Sequence, residues 1–202
     1  MRSGRTDGSY NVGARFDAGA SLSGSQRNRL FLNVQDGRDF IDISGLSAAD
    51  SPADGRAFAT LDFNRDGRTD LAIVNANEPL CQLFANKSAA GQVLALRFVG
   101  GNDTDAASSA WSARDGYGAQ VTVDVAGKTL VREHRAGEGF SAQNSSTLLV
   151  GLGPHERAEA VRVRWPSGRV QLLESAGAGR LLTVYENVED SPAGEEFVVE
   201  PY

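Results

Sequence analysis

Four side-chain oxygen donors fall within nine residues of this chain. Asp62, Asn64, Asp66 and Asp70 stand at positions 1, 3, 5 and 9 of "DFNRDGRTD", with Gly67 where a loop would turn sharply. Arg68, at position 7, offers its backbone carbonyl. Alternate residues of a curled loop can aim their side chains at one point, and Ca²⁺ takes roughly 6 to 8 hard oxygen ligands at about 2.3 to 2.6 Å. Three carboxylates held that close repel one another unless a cation lies between them. The spacing therefore predicts a calcium site with Asp62, Asn64, Asp66, Arg68 and Asp70 as ligands. The plainer alternative is a solvated hairpin turn, because Asp, Asn and Gly dominate turns in any case. An EF-hand requires a bidentate Glu at position 12, where this chain has Ile73. The flanks "RAFATLDF" and "LAIVNAN" read as strands, so the expected arrangement is strand, loop, strand.

The second group that could do chemistry is "VREHRAGEG", where His134 is flanked by Glu133 and by arginines, with glycines that let a ligand approach. A His among such neighbours can serve as an acid or base near neutral pH. Asp115, in the polar stretch before it, is the third candidate for catalysis. The plainer reading makes His134 a surface residue of a strand. A cleft around it lined by Trp111, Tyr117 or Phe140 would favour an enzyme, and a flat exposed strand a binding module. Cys81 in "PLCQLFAN" has no partner and is expected to be a buried, inert thiol. One Cys and two His exclude an ordinary structural zinc site. The chain carries no G-x-S-x-G elbow, and no P-loop or dinucleotide fingerprint.

These groups need a scaffold, and the surrounding sequence supplies short strands. From Asn28 onwards "NRLFLN", "DFIDIS", "AFATLDF", "LAIVNAN" and "CQLFAN" are separated by turn-rich segments, which predicts a meander of hairpins. "NRLFLN" and "CQLFAN" look like one strand occurring twice about 50 residues apart, a spacing that suits propeller blades. Beyond Gln92, "QVLALRFVG" alternates, a polar insertion follows, and "AQVTVDVAGKTLVREH" predicts a hairpin turning at Ala126-Gly127. In "AVRVRWPSGRVQLLES", Val161, Val163 and Trp165 share one face, Arg162 and Arg164 the other, and Pro166-Ser167-Gly168 makes the turn. Trp165 and Phe31 are expected in the core. With 202 residues, 41% apolar residues and 23 Gly but no convincing helix, the chain predicts an all-β globular protein. The formal charge of -6 argues against nucleic acid, and no 18-residue apolar run predicts a membrane span.

The order of these motifs resembles an FG-GAP/VCBS-type repeat followed by an ASPIC/UnbV domain. The repeat is similar to "NRLFLN…DFIDISG…RAFATLDFNRDGRTDLAIVNAN…LFAN", and the domain to "DGYGAQVTV…REHRAGEGFSAQNSSTLLVGLG…VRVRWPSGRVQLL". The layout resembles bacterial homologues of cartilage acidic protein, and ASPIC/UnbV relatives also occur in enediyne biosynthetic gene clusters. The resemblance divides the chain into an irregular N-terminal segment (1–27), an FG-GAP/VCBS-like region with the calcium loop (28–88), an ASPIC/UnbV-like domain (89–187) and an acidic tail (188–202).

The fold class so implied is all-β, with partial propeller-like FG-GAP hairpins followed by a β-sandwich or barrel-like domain. One complete blade-like repeat cannot close a propeller, so its edges need cover from the second domain, the N-terminal segment or another subunit of a homo-oligomer. The resemblance implies export, whereas "MRSGRTDGSYNVG" has no apolar signal segment, which leaves the cytoplasm open. Asn102, Asp103 and Asp105, in an insertion not typical of the family, could cap a second cation, but without a Gly and a full ligand ladder they are expected to stay solvated. Two functions follow. One is a Ca²⁺-stabilised binding or scaffold module for a protein, carbohydrate or small molecule. The other is a calcium-dependent enzyme acting on a polyketide- or enediyne-like intermediate.

Overall fold

The computed structural model describes Ser21 and residues 24–89 and 91–202. The strand expected within residues 13–25 lies outside the described residues save Ser21, Gly24 and Ser25. The described chain is all-β, with three short 3₁₀ turns as its helical elements, and no helix is long and apolar enough to cross a membrane. It forms two compact units. The first holds the described residues up to Phe58 together with Ala72–Phe84, and the second holds Ala59–Leu71 with Ala85–Tyr202.

In the first unit, β1 (Phe31–Val34) and β2 (Asp39–Asp42) form an antiparallel hairpin, pairing Phe31 with Asp42 and Val34 with Asp39. A lone two-stranded ribbon cannot bury both faces. Phe31 is accordingly 55% exposed rather than in the core, and Leu32, Phe40 and Ile41 are also exposed. A three-stranded sheet of order β3-β4-β5 follows in the chain, from β3 (Gly55–Leu61), β4 (Asp70–Asn75) and β5 (Cys81–Phe84), with Ala59–Leu61 and Asp70–Leu71 falling in the second unit. The strand-loop-strand expectation for residues 62–69 holds, as does the meander. Cys81 is exposed, contrary to the expectation of burial, because β5 is an edge strand whose alternation turns Cys81 and Leu83 outward.

Besides Ala59–Leu71, the second unit contains a sandwich of two four-stranded sheets. One runs β12-β11-β7-β8 and the other β15-β14-β6-β9. Their ranges are β6 (Gln92–Val99), β7 (Gln120–Val125), β8 (Lys128–Glu133), β9 (Leu148–Gly153), β11 (Ala160–Arg164), β12 (Val170–Leu173), β14 (Arg180–Tyr185) and β15 (Phe197–Pro201). The short strands β10 (Arg157–Ala158) and β13 (Ala176–Gly177) pair with each other. The sheets stay open rather than closing into the barrel that was the alternative.

Why the sheets face each other is written in the alternation. Val121 and Val123 of β7 pair in register with Val163 and Val161 of β11, and all four are fully buried. Leu94, Leu96 and Phe98 of β6, with Leu182 and Val184 of β14, supply the opposite wall. Strands β6 and β14 run parallel, so nearly the whole domain forms the crossover between them, as a parallel pair requires. Two turns form where the sequence places them. Ala126 and Gly127 both have positive φ (49° and 70°), the signature of a type I′ hairpin. Across Pro166-Ser167-Gly168, Trp165 and Arg169 close β11 onto β12. Trp165 is buried, and Arg162 and Arg164 face out.

Leu96 has no solvent exposure and sits at the centre of this core. Leu96→Ala is expected to lower unfolding stability by about 2 to 5 kcal/mol, read from the urea midpoint. A change below about 0.5 kcal/mol would mean that the two inner faces do not carry the fold.

Candidate functional site

The β3–β4 loop is curled by its own side chains. Asp62 accepts from Asp66 N (3.1 Å) and Gly67 N (2.8 Å), Asn64 Oδ1 accepts from Asp66 N (3.2 Å), and Asp66 Oδ1 accepts from Arg68 N (3.0 Å). Asp70 is fully buried at the start of β4; its Oδ2 takes Phe63 N (3.2 Å) and its Oδ1 takes Asn86 N (2.7 Å). Gly67 has φ +80°, and a Cβ there would lie 2.8 Å from Val93 Cγ1, so both conformation and space demand glycine. Asp62 also accepts from the Tyr202 hydroxyl; burial and this carboxylate together push the phenol up to about 12.

The five expected ligands therefore share one loop, and their hard oxygens suit calcium by type. Their present arrangement is not a closed ligand shell. Among the described residues, no three His, Cys, Asp or Glu side chains converge as metal ligands would. The positive charge beside Asp66 is the Arg68 guanidinium, with Nη1 at 2.8 Å. Desolvation raises the Asp66 carboxyl, but hydrogen bonds from Asn64 and Arg68 outweigh it and leave the group below the usual carboxylate range. The Arg68 guanidinium balances one of the loop's three carboxylates, and a metal would compete with it for Asp66.

His134, Glu133 and Asp115 do not form an acid-base assembly. His134 is not a surface residue: it is buried, stacked on Tyr117 (ring centroids 4.7 Å apart) and packed against Phe98 (5.1 Å). Its backbone extends the β7–β8 ladder by pairing with Ala119 and Gly118, so alternation turns its ring inward and the neighbouring Glu133 outward. Glu133 pairs with Arg135 at 2.9 Å, and Asp115 pairs with Arg114 at 3.1 Å. The Asp115 group that meets His134 Nε2 is its backbone carbonyl, at 3.1 Å. Of the aromatics expected around His134, only Tyr117 is there; Trp111 lies under Arg169 at 4.3 Å, and Phe140 is exposed.

Glu186 escaped the sequence reading. It is a buried carboxylate at the end of β14, and it accepts from Gly101 N (3.0 Å), Ser112 N (2.7 Å), Ser112 Oγ (2.8 Å) and the Ser167 hydroxyl. Desolvation raises this carboxyl, and those hydrogen bonds more than reverse the effect. Within the insertion, Asn102 is not free in solvent. Its side chain donates to Ser108 O (2.8 Å) and Trp111 O (2.6 Å) and accepts from Ser108 N (2.7 Å), whereas Asp103 and Asp105 are exposed. The one available signal for Glu186 is its position, directly after a strand whose residues 181–184 are buried on both faces.

The fold and the loop define a β protein in which a hairpin repeat carrying an acidic loop is followed in sequence by an open sandwich. Comparison with family models assigns both parts. Residues 55–96 match the FG-GAP repeat, and residues 110–191 match the ASPIC and UnbV domain. The chain is an FG-GAP plus ASPIC/UnbV protein, and these two domains make it a β-rich scaffold or binding protein. No curated protein sequence matches the chain as a relative.

Two outcomes follow from the buried groups. Burial lowers the His134 pKa, offset in part by the Asp115 carbonyl and carboxylate, so the folded state prefers the neutral ring. Stability from this preference is present above about pH 6.5 and is lost as pH falls through the depressed folded value. Urea midpoints should therefore fall between pH 7.5 and 5.5, and fall less in His134→Phe; equal slopes would contradict the assignment. Glu186→Ala leaves Gly101 N and Ser112 N without their acceptor, at about 1 to 3 kcal/mol each. Its loss of stability should be at least about 2 kcal/mol in urea unfolding, and a neutral result would mean that solvent replaces the clamp.

Proposed function

We propose that this protein is a calcium-stabilised binding or scaffold module. The observation that carries the proposal is the oxygen series of Asp62, Asn64, Asp66, the Arg68 carbonyl and Asp70 on one hairpin loop, inside the segment that matches an FG-GAP repeat. A divalent cation there would supply positive charge to three carboxylates and pin the end of the β3–β4 hairpin. Binding to the folded state alone stabilises a protein by RT ln(1 + [L]/Kd), about 2.7 kcal/mol at a hundredfold excess over Kd. The alternative, an enzyme acting on a polyketide- or enediyne-like intermediate, would draw on His134, Glu133 and Asp115. The stacked, buried imidazole and the pairing of Glu133 and Asp115 with arginines favour binding over that chemistry.

Thermal melting in EDTA and in excess CaCl₂ tests the proposal. Saturating calcium should raise Tm by roughly 5 to 10 °C, from that free energy and about 2 to 4 °C per kcal/mol for a chain of this size. Asp66→Ala should abolish the rise. Arg68→Ala keeps the backbone carbonyl and removes the competing guanidinium, so it should bind calcium more tightly than the parent. An unchanged Tm for the parent protein would reduce the loop to a self-satisfied turn.

A further inference from the structure

The connection between β8 and β9 is folded into a polar network. Arg135 sits between two carboxylates, Nη2 to Glu133 at 2.9 Å and Nη1 to Glu138 at 3.7 Å. Glu138 Oε2 accepts from Asn144 Nδ2 (2.6 Å), while Asn144 Oδ1 accepts from Thr60 N (2.8 Å). Ser145 N donates to Thr60 O (2.9 Å), so the connection is laced to the chain two residues before Asp62. Between this connection and residues 60–62 lies a cleft of about 140 Å³, entirely within the second unit.

We infer that this cleft is a binding site for a single ring of a neutral, polyhydroxylated ligand, a saccharide unit, with Glu138, Asn144 and Arg135 as its hydrogen-bonding groups. The inference rests on the binding-module reading above and names the ligand class. Charge is the first argument. The cleft gathers Asp62, Glu133 and Glu138 around the single Arg135, so an anion would meet three carboxylates, and a cation would meet the guanidinium placed between two of them. A sugar hydroxyl donates and accepts at once, so it matches carboxylate, amide and guanidinium groups placed side by side. Those groups hold one another in place, which lowers the entropy lost on binding. Size is the second argument, since the cleft is smaller than the roughly 300 to 1,000 Å³ of drug-sized sites and suits one ring.

The test is an NMR titration with the methyl glycosides of glucose, galactose, N-acetylglucosamine and xylose, each in calcium and in EDTA. At least one should produce saturable shifts at Asn144 Nδ2 and Arg135 Nε, with Kd on the order of 1 mM. Glu138→Gln keeps the shape of the side chain and removes its charge, so it should weaken binding about tenfold and abolish the Arg135 shift; Arg135→Lys keeps the charge and removes the planar fork, and should weaken binding as read at Asn144 Nδ2. No shift at these atoms with any glycoside in either buffer overturns the inference, as do shifts unchanged in both variants. Melting in calcium judges the metal separately, so either reading can fail alone.

Discussion

Backbone N–H groups in connections folded against a sheet need acceptors, and here side-chain oxygens supply many of them. Asp62, Asn64 and Asp66 close the β3–β4 loop on itself, Asp70 joins its end to Asn86, and Glu186 gathers Gly101, Ser112 and Ser167. Asn102 and Asn144 do the same for the insertion and for the β8–β9 connection. In a chain with so little helix these loops have few other internal partners. A buried carboxylate is costly unless several donors surround it, and a buried N–H is costly without an acceptor. Each group solves the other's problem.

The same constraint bears on the acidic loop. Its oxygens already serve the backbone, and Arg68 already serves Asp66. The curl of the loop is thus held by hydrogen bonds from its own side chains to its own backbone. Apolar burial keeps its own place. The sandwich core forms from strands whose alternation is independent of the loop, with Val121, Val123, Val161 and Val163 as its clearest examples.

Much of this was legible in the sequence because it was local. Alternation in "AVRVRW" fixed which face of β11 is buried, and Ala126-Gly127 fixed a two-residue turn, since both signals lie within a few residues of their effect. The strand-loop-strand form of residues 55–75 was legible for the same reason. What the sequence hid depends on distant partners. Phe31 and Cys81 look like core residues until their sheets are seen to end at two and three strands. His134 reads as a surface charge because its stack on Tyr117 is made across a loop, and Glu186 meets Gly101 from 85 residues away. No window of local pattern contains those pairs.

His134 shows how a residue type misleads about chemistry. Histidine beside glutamate invites an acid-base reading, yet period-two alternation places neighbours in a strand on opposite faces. Catalysis by such a pair would need the strand to bulge or end between them, and here the ladder continues through Ala119 and His134. The residues that the strand leaves on the polar side are Glu133 and Arg135, already paired. Together with Glu138 and Asn144 they form a hydrogen-bonded surface, and His134 lines the same cleft. That arrangement suits recognition: it presents donors and acceptors in one geometry, and binding need not reorganise them.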